Sequence, residues 1–136
     1  MSESTSIETT DRIQLVLPGR TRLRGVATLV VGGVGSRLDL PYEKVDDLQL
    51  AILSVLAAND LETVTIDLEV DSEWVQVCVG PLPDGGSTDQ GLRRVLERLV
   101  DEVEPVHREQ AGSEREEPAS REWIMFRLAR AGRDSA

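Results

Sequence analysis

Ile13, Leu15 and Leu17 alternate with Arg12, Gln14 and Val16 until Pro18-Gly19 breaks the pattern. A period of two predicts a half-buried strand over 12–17. Between Thr21 and Arg37, Leu23, Val26, Ala27, Val30 and Val34 recur at helical spacing. This predicts a first helix, although Gly25, Gly32, Gly33 and Gly35 each cost it about 1 kcal/mol relative to alanine. Val45, Leu48, Ile52, Val55 and Leu56 form the stripe of a second helix, with Pro41 in its first turn and Asp39 as a candidate cap. Val64, Ile66, Leu68 and Val70, then Val75, Val77 and Val79, predict a hairpin turning at Asp71-Ser72-Glu73. The prolines and paired glycines of 80–90 predict a long flexible loop. Leu92, Val95, Leu96, Leu99 and Val103 carry a third helix over 92–103, and Glu102–His107 overlaps it as a short strand made edge-like by Pro105. Residues 108–120 read as a solvated turn, and Glu122–Leu128 as the last strand.

The order is therefore βααββαββ. Its economical packing is an α/β two-layer sandwich, with a mixed five-stranded sheet and three helices on one face. We expect one domain over 11–130, flanked by a disordered arm (1–10), in which only Ile7 is apolar, and a disordered tail (131–136).

Composition narrows the function. With 136 residues, 40% of them hydrophobic, the chain can fill one core. A net charge of −10 repels phosphate backbones and argues against nucleic-acid binding. No apolar run approaches the roughly 18 residues that span a bilayer, and the N-terminus is not a leader, so a cytoplasmic protein is expected. Cys78 is the sole cysteine and His107 the sole histidine, too few soft ligands for zinc. Without a Gly-x-Ser-x-Gly elbow, Ser36 and Ser54 make poor nucleophiles. Cys78 alternates with Val77 and Val79, which places an inert thiol on the opposite sheet face. Arg20, Arg22, Arg24 and Arg37 flank the first helix, whereas Glu43 to Glu73 holds nine acidic residues against Lys44 alone. That dipolar pattern suits a protein partner or a homodimer and equally an ordinary solvated surface.

Four segments carry a family resemblance: Ile13-Gln14-Leu15-Val16-Leu17-Pro18, Val34-Gly35-Ser36-Arg37, Val45-Asp46-Asp47-Leu48-Gln49-Leu50-Ala51, and Gly91-Leu92 with Leu99-Val100-Asp101-Glu102-Val103. In this order and spacing they resemble the anti-sigma-factor serine kinases, a branch of the GHKL (histidine-kinase-like) ATPases. The resemblance implies a sigma factor or an antagonist protein as partner, and ATP with Mg²⁺ as cofactor.

It also implies site residues that this chain mostly replaces. Where the family has a general-base glutamate and a Mg²⁺-holding asparagine on the second helix, Leu53, Ser54 and Ala58 stand. Asn59 comes about one position late, a rotation of about 100° on a helix. Gly80-Pro81 stands where an aspartate accepts the adenine amino group, and Asp84-Gly85-Gly86 follows later. The phosphate-proximal loop reduces to Gly91-Leu92 before Arg93-Arg94. If ATP binds, its contacts are expected from Ser54, Asn59, Asp84, Gly85, Gly86, Gly91 and Arg93, with Asn59 as the metal candidate. Otherwise Asn59 is a polar helix end, Asp84 a turn residue and Arg93 a solvated helix start. The expectation is a regulatory protein-binding domain with a degenerate nucleotide site, no catalytic residue and no resident cofactor. The alternatives are an active serine kinase using these displaced residues, and a structural dimerisation module.

Overall fold

The computed structural model describes residues 11–18, 23–59, 61, 63–110 and 119–130. The arm, the tail, Arg20 and Arg22 lie outside them. The elements are β1 (Asp11–Pro18), α1 (Leu23–Arg37), α2 (Tyr42–Ala58), β2 (Thr63–Val70), β3 (Trp74–Leu82), α3 (Gln90–Leu99), β4 (Glu102–Gln110) and β5 (Ala119–Ala129), with a single 3₁₀ turn at Gly86–Thr88. This is the expected element order.

The five strands form one sheet in the order β1-β2-β3-β5-β4. Every pairing is antiparallel, so the expectation of a mixed sheet is corrected. The physical reason lies in the connections. β2–β3 and β4–β5 are hairpins, and α1–α2 is an even number of helices that returns the chain antiparallel to β1. One helix between β3 and β4 places β4 at the edge, so β5 fills the gap beside β3.

Alternation sorts the strands' side chains into two faces. Leu15, Leu17, Val64, Ile66, Leu68, Val70, Val75, Val77, Val79, Ile124, Phe126 and Leu128 meet Val31, Val34, Leu48, Ile52, Val55, Leu92 and Leu96 of the helices in one hydrophobic core. The result is a two-layer α/β sandwich of the GHKL-like kind. The other face carries Arg12, Asp67, Gln76, Cys78, Met125 and Arg127. Cys78 is buried there, opposite the valines as expected, and burial pushes its thiol up. Among the described residues, no helix is long and apolar enough to cross a membrane, and no three His, Cys, Asp or Glu side chains group to hold a metal.

Several boundaries differ from the sequence expectation. Asp39 does not cap α2. It adopts φ 55°, and its backbone N–H donates to the Ser36 carbonyl, closing α1 instead. Pro41 precedes α2 without a side-chain cap, and its carbonyl accepts from Lys44 and Val45. β3 continues through Gly80 and Pro81 to Leu82, shortening the expected loop. A register shift between Val79 and Leu82 returns Leu82 to the core despite broken alternation. Gly80 permits this because a Cβ there would lie 2.6 Å from the Trp123 ring.

α3 stops at Leu99, and Val103 enters the core from β4, which explains its place in the apolar stripe. β4 itself runs on to Gln110, so the turn before β5 is shorter than expected. Its Pro105 does lie on an edge strand. Asp89 caps α3, its Oδ2 accepting from the Leu92 N–H at 2.8 Å. Asp89→Ala is expected to cost about 1 kcal/mol of stability, measured by urea unfolding.

Candidate functional site

The residues singled out for nucleotide chemistry fall at one end of the helical layer, where α2 ends, β3 turns into α3 and β5 begins. α2 reaches this point because its stripe Leu48, Ala51, Ile52, Val55 and Leu56 is buried on the sheet. The opposite positions of its last turns, Ala57 and Ala58, are exposed and carry no functional group. Leu53 and Ser54 are half-buried between these two faces. The Ser54 hydroxyl donates to the Leu50 carbonyl of its own helix at 2.7 Å, a local bond that leaves it turned along α2.

Asn59 is the C-cap of α2. Its Nδ2 donates to the Val55 carbonyl at 2.9 Å, satisfying one of the acceptors that every helix end leaves over. Its Oδ1 lies against Gly86, only 2.7 Å from where a Cβ of residue 86 would sit. The end of α2 and the turn after β3 are thus in contact, and a side chain at position 86 would separate them.

That turn is tight. Gly85 adopts φ 84°, a conformation costly for residues with a Cβ, and Gly86–Thr88 follows as the 3₁₀ turn. The turn is anchored from the sheet by Glu122. Its carboxylate accepts from the Gly85 N–H at 2.8 Å, the Ser87 N–H at 3.1 Å and the Ser87 hydroxyl at 2.6 Å. The Ser87 hydroxyl, then the Gly85 and Ser87 amides, hold the Glu122 carboxyl below the usual glutamate range. Two convergent amides and a hydroxyl form a small anion cradle, and the protein fills it with its own carboxylate.

Of the expected site residues, the structure brings Asn59 and Gly86 together, with Gly85 and exposed Asp84 beside them. Gly91 is exposed on the first turn of α3, next to the Asp89 cap. Arg93 is engaged elsewhere, donating through Nε to Glu97 at 3.0 Å and through a terminal nitrogen to the Val103 carbonyl at 3.3 Å. Glu122 and Ser87 were not expected. The signal for Glu122 was present, since it falls in phase with Ile124 and Phe126, a charge at a position where alternation calls for a core side chain. Ser87 had no signal, because its role depends on a partner 35 residues away.

No known protein-family profile matches the chain. Among curated proteins, it is similar to the serine-protein kinase RsbW of Oceanobacillus iheyensis, 26% identical over 108 residues that cover 74% of this chain. The chain spans about 63% of that relative's length. The chain is thus distantly similar to a serine-protein kinase over about three quarters of its length, 74%.

Proposed function

We propose that this protein regulates by binding another protein in the manner of an anti-sigma factor, with a sigma factor or its antagonist as partner, and that its nucleotide site is degenerate. A cytoplasmic location goes with such a partner. The observation that carries the reading is the state of the α2 end. Where a general base and a metal-holding asparagine are needed, the helix offers Leu53, Ser54 and Ala58, and the adjacent cradle is filled by Glu122. These residues do not fit ATP with Mg²⁺. Removing a general base alone typically lowers a rate by 10² to 10⁴. An anionic phosphate placed at Gly85 and Ser87 would also meet the Glu122 carboxylate.

One observation favours the other reading, an active serine kinase: Asn59 and Gly86 do touch, so displaced residues share a place. Calorimetric titration with ATP and Mg²⁺ separates the two. We expect a Kd weaker than about 1 mM, or roughly −4 kcal/mol, and a Kd tighter than about 100 μM would overturn the degenerate site. The partner is tested by measuring binding of the purified protein to each sigma factor and antagonist of its source organism. Failure to bind any of them at micromolar concentrations would sink the anti-sigma reading.

A further inference from the structure

The sheet face turned away from the helices holds a groove of about 160 Å³, lined by residues from all five strands: Arg12, Asp67 and Glu69, Gln76 and Cys78, Met125, and Val106 and Arg108. In the strand register Asp67 lies opposite Cys78, which faces Met125, which faces Glu104. Arg108 is four residues further along β4, yet it reaches Asp67 at 2.9 Å. The contact runs diagonally over two intervening strands and closes because a twisted sheet curls its corners together.

Asp67 is the floor of this groove, with its side chain only 4% exposed. Both cations approach the same oxygen, Oδ2: Arg108 at 2.9 Å and Arg12 at 3.5 Å. Oδ1 is buried and has no hydrogen-bond partner. A buried carboxylate with one oxygen doubly served and the other unserved is a half-filled acceptor. The group that serves both oxygens at once is a planar guanidinium, whose two parallel N–H bonds match a carboxylate.

The two arginines are not equivalent. Arg108 is packed over the Trp123 ring, 4.6 Å from its centroid, and belongs to the wall. Arg12 lies on the edge strand β1, is 55% exposed, and makes the longer contact. With Arg12 turned out, the lining of the groove keeps two carboxylates, Asp67 and Glu69, against the single cation Arg108, and one incoming cation restores the balance. Cys78 adds no charge, since burial keeps its thiol neutral. The groove is large enough for the head and stem of one side chain, and the chain's net charge of −10 attracts basic segments.

We propose that this groove docks an arginine side chain presented by a basic segment of a partner protein, and that Arg12 is the internal occupant it displaces. The proposal rests on the partner-binding reading above and names the partner's chemistry. The probe is L-argininamide, titrated into the full chain and followed by NMR, with citrullinamide, whose ureido side chain carries no charge, as its counterpart.

Argininamide is expected to bind at millimolar concentration and to shift the backbone resonances of Asp67, Cys78, Arg108 and Met125, while citrullinamide leaves them unmoved. Arg12→Gln is expected to strengthen binding about tenfold by removing the competitor, and Asp67→Asn to abolish it. If Asp67→Asn does not fold, the Arg12→Gln gain and the citrullinamide contrast still decide. An equal response to citrullinamide, no gain in Arg12→Gln, or no shifts up to about 50 mM would overturn the proposal and leave Oδ1 as the seat of a buried water. The titration contains no sigma factor and no nucleotide, so its failure is distinguishable from failure of the anti-sigma reading.

Discussion

Phe126→Ala is expected to remove about 3 to 5 kcal/mol of stability, a large share of the roughly 5 to 15 kcal/mol that holds a typical domain together. Phe126 is fully buried on β5, which lies between β3 and β4 in the sheet. Val77 stands opposite it on one side and Val103 on the other, and the helical layer covers it. Truncation leaves a cavity that none of these β-branched neighbours is long enough to fill. Urea unfolding followed by circular dichroism measures the loss. Val16→Ala, an exposed edge position, serves as the control and should stay within about 0.5 kcal/mol. A loss below about 1 kcal/mol at Phe126 would contradict its place at the centre of the core.

Glu122→Ala is expected to free the turn between β3 and α3, raising amide exchange at Gly85 and Ser87 by about ten- to a hundredfold while the core amides keep their protection. Three donors converge on this one carboxylate, which ties the turn to the sheet. The same contact fixes a pH dependence. Glu122 titrates below its ordinary value of 4.5 in the folded protein. Its contribution is therefore complete above pH 4.5 and is lost as pH falls through the lower folded value. The Gly85 and Ser87 amide resonances should hold steady from neutral pH down to about 4.5 and move only below it. Movement between pH 6 and 7 would contradict this assignment.

Most of the fold was legible because strands and helices of this chain bury one face each, and burial imposes periods of two and of 3.6 on the sequence. Val64 to Val70, Val75 to Val79 and Val45 to Leu56 carry those periods without interruption. Reading failed where one side chain satisfied two periods. Val103 continues the helical stripe of α3 at the right spacing, yet Val100 already ends the helix and the chain turns into β4. It also failed at Gly80-Pro81, where two turn-forming residues sit inside a strand because Trp123 needs the space above Gly80. Strand direction was legible only at the β2–β3 hairpin, since a hydrophobic alternation by itself has no sense of parallel or antiparallel.

The site was legible by its gaps more than by its contents. On the proposed reading Leu53, Ser54 and Ala58 stand where α2 would need a general base and a metal ligand, and that comparison needs only the sequence. What occupies the space needs coordinates. Asn59 turns back on Val55, and Glu122 arrives from the far end of the chain. The groove on the open face was beyond reach for the same reason: Asp67 and Arg108 are 41 residues apart, and their meeting depends on the curl of the whole sheet.

The strand order also governs how the chain must assemble. β2–β3 and β4–β5 are local hairpins, able to close early, but every β1–β2 and β3–β5 pair joins residues at least 40 positions apart. Closing such loops loses chain entropy before the contacts form, so this protein is expected to fold more slowly than a helical bundle of its size. The β3–β5 seam is the step that merges two hairpins into one sheet. Substitutions along it, at Val77 or Ile124, should therefore slow refolding, whereas equal losses at β1 should mainly hasten unfolding.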